Sequence, residues 1–255
     1  MIPAEPLAVA PGWRRIALGD VGSTNTEALD AGHAGDPGQL WVTGIRQLAG
    51  RGRRGRAWVS EAGNLYATAL LVDPKPEDRV GLLPLVAALA LHKAIAPRLR
   101  TPGKLQLKWP NDLLFHGAKV SGILLEQAFR DDGKRLLVIG MGVNCSHSPS
   151  ETAYPARALS DLGEGLEPEP LFSALAASLA ELLQIWASQD GARAIVDQWT
   201  DRAQGIGGAI TVRFPDHEEN GTFAGLDADG YLLLQQDGAT RRIMAGDVFF
   251  GADPI

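Results

Sequence analysis

The sequence predicts an α+β protein: a mixed β-sheet covered by helices, followed by a small C-terminal β-barrel. Three observations lead there. Between Trp13 and Asn144, short apolar runs rich in Leu, Val and Ile alternate with turn residues and one apolar helix. Two stretches with helical spacing of Leu, Ile and Trp follow. After Gly205-Ile206-Gly207-Gly208 the texture changes to short strands separated by Asp-Gly and Asn-Gly pairs. That change sets the expected boundary, with one domain over residues 1–206 and a second over 207–255.

The expected strands of the first domain are Trp41–Arg46, Asn64–Leu71, Leu105–Trp109, Val120–Gln127 and Leu136–Asn144, all spaced for one sheet. Gly22-Ser23-Thr24 leads into a helix over Asn25–Ala31, where a hydroxyl can cap the first unpaired N–H groups and Glu27 falls in the first turn. Leu82–Leu91 reads as a core helix, too short for the roughly 20 residues of a spanning helix. Leu171, Leu175, Leu179, Leu182, Leu183 and Trp186, and then Ile195, Val196 and Trp199, place two helices over the sheet. In the second domain the expected strands are Ile210–Phe214, Thr222–Leu226, Tyr231–Gln235 and Arg241–Met244.

A chain of 255 residues with 45% apolar and 21% charged residues can bury a self-sufficient core. The lone Cys145 cannot form an internal disulfide, which fits a reducing compartment, so a cytoplasmic location is expected. Met1–Gly12 carries no basic segment ahead of an apolar run, so no signal peptide is expected. A net charge of -6 argues against broad binding to nucleic acid, which needs an extended basic face. His33, His92, His116, His147 and Cys145 show no metal-ligand spacing, and no protein-held metal site is expected.

Three segments could carry chemistry. Gly50-Arg51-Gly52-Arg53-Arg54-Gly55-Arg56 sets four guanidiniums among three glycines. Arg offers a rigid fork of donors to phosphate or carboxylate, and Gly lets backbone N–H groups approach an anion. Alone, such a run also suits an RNA-binding or solvated segment; here it lies between Trp41–Gln47 and Trp58 in an acidic chain. The Gly-Lys-Ser/Thr ending of a P-loop is absent. Lys108-Trp109-Pro110-Asn111-Asp112 places Asn111 and Asp112 in a turn at a strand exit, and Lys119 heads the next strand of a hairpin that can aim an ammonium at the same place. The same residues would also suit a plain turn with two solvated lysines. Gly140-Met141-Gly142-Val143-Asn144 ends an apolar strand with glycines that allow close approach, and the Asn144 amide could read an adenine edge.

Taken in order, Gly22-Ser23-Thr24-Asn25, Gln47 ahead of Ala49–Arg56, Lys108–Asp112, Lys119-Val120-Ser121-Gly122-Ile123 and Gly142-Val143-Asn144 resemble the biotin protein ligases. The resemblance is specific from Arg14 to Asn144 and looser through the C-terminal barrel. It implies a class II aminoacyl-tRNA-synthetase-like biotin/lipoate ligase fold with an SH3-like barrel. It also implies a two-step reaction: biotin and Mg-ATP give biotinyl-5'-AMP, and biotin then passes to a lysine of a biotin carboxyl carrier protein, such as that of acetyl-CoA carboxylase.

By that resemblance Arg53, Lys119 and Asp112 are catalytic. Ser23, Thr24, Asn25, Gln47, Gly50, Arg51, Gly52, Lys119 and Gly122 surround biotin, and Arg53, Arg54, Trp58, Lys108, Asn111 and Asn144 hold the nucleotide. Asp112 would partner the incoming lysine or the metal. ATP and Mg²⁺ are the implied cofactors. Many relatives carry an N-terminal DNA-binding domain; only about a dozen residues precede Trp13 here, so neither repression nor DNA binding is expected. Membrane binding is not expected either, and homodimerisation stays open. Where the family often has a basic residue near the end of the barrel, this chain reads Gly246-Asp247-Val248-Phe249-Phe250-Gly251, which questions a phosphate role for the barrel. The rival of the same fold is a lipoate or octanoate ligase or transferase, in whose pocket Ser23, Thr24 and Gln47 would be poorly used.

Overall fold

A computed structural model describes residues 3–150, 152 and 154–251. Its larger sheet has eight strands: β1 (Glu5–Pro6), β2 (Arg14–Val21), β3 (Leu40–Gln47), β4 (Leu65–Val72), β5 (Leu105–Lys108), β6 (Asp112–Phe115), β7 (Ala118–Phe129) and β8 (Arg135–Val143), in the spatial order β1-β2-β3-β4-β8-β7-β6-β5. Only β2 and β3 run parallel; α1 (Thr24–His33) is the crossover between them. The mixed sheet matches expectation, but β1, β2 and β6 were not foreseen. The sequence of β2, Arg-Arg-Ile-Ala-Leu-Gly-Asp-Val, has too few apolar positions to stand out from a loop.

Helices cover the two faces unequally. On one face α1 buries Ala28 and Ala31 against Ile16, Leu40, Val42, Leu70, Leu136 and Val138. On the other lie α2 (Leu83–Ile95), α3 (Pro168–Ala187) and α4 (Gly191–Thr200), which bury the main core. The apolar stretch around α2 is longer than its sequence suggested: Glu77–Arg98 and α3 are each long and apolar enough to cross a bilayer by length and composition. Ten of the thirteen α2 residues are buried against the sheet and its neighbouring helices, as a core helix requires. The expected cap of α1 is corrected. Ser23 occupies the N-cap position in an extended conformation without a side-chain cap bond.

The second sheet is antiparallel, in the order β12-β11-β10-β9-β13 with β9 (Ala209–Arg213), β10 (Glu218–Leu226), β11 (Leu232–Gln236), β12 (Ala239–Ile243) and β13 (Asp247–Phe250). Asp237-Gly238 turns the chain between β11 and β12, both residues with positive φ. Asn220-Gly221, expected as a turn, lies inside β10 opposite Thr211 and Ile210 of β9. The unforeseen β13 returns beside β9. Trp109 Nε1 donates to Gly230 O at 3.0 Å, joining the exit of β5 to the second sheet.

Candidate active site

Strand alternation builds the floor of a cleft. On β8, Leu136, Val138, Gly140 and Gly142 share one face; α1 covers the first two, and the glycines lie beyond its N-terminus. Thr68 and Tyr66 of β4 stand opposite Gly140 and Gly142, and Leu124 and Gly122 of β7 stand opposite the same pair. The floor has to be glycine. A Cβ at Gly140 would collide with Asn25 Oδ1, and one at Gly142 would lie 2.7 Å from Trp58 Nε1. A Cβ at Gly122 would meet the same indole at 3.0 Å.

A β-bulge then aims the lysine. Asp112 pairs with Gly122 and Leu113 with Ser121, but Leu114 pairs with Lys119, so Val120 is an extra residue. In regular register Lys119 would face away from Gly122, three positions on. The bulge returns it to the cleft face, where Nζ lies 2.6 Å from Asp112 Oδ1. Lys119 Nζ also donates to Tyr154 Oη at 3.3 Å. Its backbone is fixed from the side by Pro155 and Arg157, which bond its N–H and C=O. Lys108 stands opposite Asp112 across the hairpin and is enclosed by the rings of Tyr154 and Phe249. Burial pulls its pKa below the ordinary lysine value, against the opposing pull of Asp112.

At the α1 end the lining is polar and internally ordered. Thr24 donates its N–H and its hydroxyl to Gln47 Oε1, at 2.9 and 3.0 Å, and Gln47 Nε2 donates to Ser60 Oγ at 3.0 Å. Thr68 Oγ lies within 2.8 Å of Thr24 Oγ and 2.7 Å of Asn25 Oδ1. Asn25 Nδ2 donates to Glu126, which also receives Arg51 Nε at 3.2 Å.

The arginine loop is a small hairpin over the cleft. Trp58 N donates to Gly50 O and Gly52 N to Arg56 O, and Arg54 turns the tip in the left-handed region. Arg53 Nη1 donates to Asn111 Oδ1 at 3.2 Å, and burial lowers its pKa from the usual arginine value.

The expected residues Ser23, Thr24, Asn25, Gln47, Arg51, Gly52, Arg53, Trp58, Lys108, Asn111, Asp112, Lys119 and Gly122 all line this one cleft. Three others do not. Gly50 packs behind the loop against Ser60 and Trp58, Arg54 sits at the exposed tip of the loop paired with Asp247, and Asn144 is buried with its amide donating to Arg157 O. Among the lining residues that escaped the sequence reading as site residues are Tyr154, and Arg213, Asp247 and Phe249 of the small sheet. Residues of the small sheet therefore form part of the cleft wall. Six cations and two carboxylates line the cleft, and each carboxylate already faces a cation. Such a lining suits a ligand with several negative charges.

This fold and cleft define the class. The profile of the Biotin/lipoate A/B protein ligase family matches residues 20–144, and that of the Biotin protein ligase C terminal domain matches residues 205–251. Within that class, the chain belongs to the biotin protein ligase family. It is 37% identical over 238 residues to the biotin–[acetyl-CoA-carboxylase] ligase of Paracoccus denitrificans, covering 90% of this chain and 97% of the relative. It is 31% identical over 249 residues to the ligase of the same name from Mycobacterium tuberculosis, covering 95% and 91%. The solved biotin protein ligase from Aquifex aeolicus in complex with biotin and ATP matches with a TM-score of 0.79 at 26% identity, covering 92% of this chain and 97% of that one.

Proposed function

We propose that this chain activates biotin with ATP and transfers it to a lysine of a biotin carboxyl carrier protein. The observation that carries this reading is one continuous cleft, polar at the α1 end and cationic at the β5–β7 end, over a floor of glycines. In the first step a carboxylate oxygen of biotin attacks the α-phosphorus of ATP and pyrophosphate leaves. In the second an acceptor lysine amine attacks the acyl carbon and AMP leaves.

Both reactants of the first step are anions, so their approach needs fixed positive charge. Lys119, Arg53 and Lys108 supply it from positions held before the substrates arrive. Thr24, Gln47 and Asn25 offer the ureido ring of biotin a prearranged set of donors and acceptors, which lipoate would leave unused. Trp58, lying over Gly122 and Gly142 with its Nε1 turned to the floor, offers a ring face to the base. The hairpin Gly50–Arg56 is the lid that keeps water from the acyl-adenylate.

Magnesium enters this account with the nucleotide. Among the described residues no three His, Cys, Asp or Glu side chains cluster, and Asp112 and Asp247 are both engaged by cations. The donor set does not fit a metal held by the protein alone, and Mg²⁺ is commonly bound chiefly through substrate phosphates. Residues 1–206 carry the substrates in this reading, and 207–255 supply a wall of the cleft.

The test is to incubate the purified protein with ATP, Mg²⁺, a biotin carrier domain and either biotin or lipoate, and to read the acceptor's mass. A shift by one biotinyl group is expected. Transfer of lipoate with none of biotin contradicts the proposal.

A further inference from the structure

The small sheet sets a single carboxylate among the guanidiniums of the arginine hairpin. Asp247 opens β13 and is paired with Arg213 of β9, so a strand ladder and not a loop fixes its position. Arg56 Nη2 lies 3.0 and 2.8 Å from its two oxygens, Arg54 Nη1 3.2 Å and Arg53 Nη1 3.7 Å. Arg53 also donates to the carbonyl of Gly246 at 3.3 Å. The stem of the hairpin is held otherwise: its own backbone bonds close it, and Arg51 ties it to Glu126 on β7. On the side of the larger sheet the tip is held through Arg53, which donates to Asn111 in the β5–β6 turn at 3.2 Å. Arg54 and Arg56 are both exposed, and among the described residues each finds its carboxylate partner in Asp247. Three like charges on adjacent turns repel one another, and a carboxylate between them is what lets them converge.

We infer that Asp247 is a positioning residue for the lid: it draws the tip of the hairpin onto the C-terminal sheet and holds it closed over the acyl-adenylate. The loop keeps a surplus of positive charge after this pairing, so closure and attraction of a polyanion are compatible. The inference rests on the proposed lid role of Gly50–Arg56.

Asp247→Asn keeps the shape and removes the charge. Two readouts test it. Trypsin, which cuts after arginine, should nick the resting variant between Arg53 and Arg56 about tenfold faster than the wild type, the order expected for losing a charge-assisted pair. Biotinyl-5'-AMP made from biotin and α-labelled ATP, then chased with the unlabelled compound, should leave the variant faster by a similar factor. Asp247→Glu should restore most of both, with melting temperatures unchanged. If Asp247→Asn fails to fold, Arg56→Gln removes the shortest of the three pairs from the other side and must give the same acceleration. Release at the wild-type rate, or tighter ATP binding with release unchanged, overturns the inference, the latter showing Asp247 to be only a competitor for phosphate. If the wild type forms no biotinyl-5'-AMP, the functional reading fails; trypsin nicking still decides whether Asp247 tethers the loop.

Discussion

Lys119 and Asp112 form a pair with side chains only 10% and 12% exposed, in a cleft where the other nearby ammonium, Lys108, is partly desolvated. A charge so placed does most where new negative charge develops. Lys119→Ala should slow adenylate formation by roughly 10²–10³-fold, the range for deleting one fixed electrostatic group, and weaken biotin binding less. Single-turnover rates and biotin titration separate the two effects, and an equal loss in both would reduce Lys119 to a general positioning role. The same variant leaves Asp112 without its cation, so a lower melting temperature is expected as well. Cys145 behaves in the opposite way, with no partner charge and almost no exposure. Burial pushes its thiol up to about 11. Below pH 9 the folded and unfolded chains both keep this proton, and stability does not depend on it. Between about 9 and 11 the unfolded chain releases the proton while the folded chain retains it, so stability falls as pH rises, by about 1.4 kcal/mol per unit. Denaturant titrations at pH 8 and pH 10 should show that loss reduced in Cys145→Ala; an undiminished loss would assign it to other groups, Tyr66 among them, whose phenol is pushed up to about 12.

At the scale of elements, Glu126 links three of them: α1 through Asn25, the lid through Arg51, and β7 through its own backbone. Glu126→Gln keeps the size but weakens both charge-assisted contacts, and should raise the KM for biotin about 5- to 30-fold with a smaller change in kcat. Steady-state kinetics on a carrier domain would show the split, and a fall in kcat alone would contradict it. Five of the eight strands in the larger sheet were legible because their Leu, Val and Ile runs carry their own pattern. Strand β2 was not, since its exposed and intermediate positions outnumber its two buried ones. Strand β6 hid inside a segment read as a turn followed by a lysine. Only the register of β6 on β7 reveals the bulge at Val120, which turns Lys119 to the cleft and leaves no signal in the sequence pattern.

Across the whole molecule, the legible part of the site was the part encoded in local motifs, and the illegible part was what distant segments bring to it. Thr24, Gln47, Lys108 and Asp112 each stand within a recognisable run. Tyr154, Arg213 and Phe249 do not, and they reach the cleft only because the 155–157 segment bridges to β7 and the second sheet docks at the exit of β5. Asn144 shows the converse: a motif residue whose amide the fold uses to hold the 157 segment. In the proposed reaction this cleft makes an acyl-adenylate on its own, before any carrier protein takes part. Incorporation of labelled pyrophosphate into ATP measures that step directly. Exchange should require biotin, need no carrier domain and fall with Lys119→Ala; exchange without biotin, or only when a carrier domain is added, would rule this reaction order out.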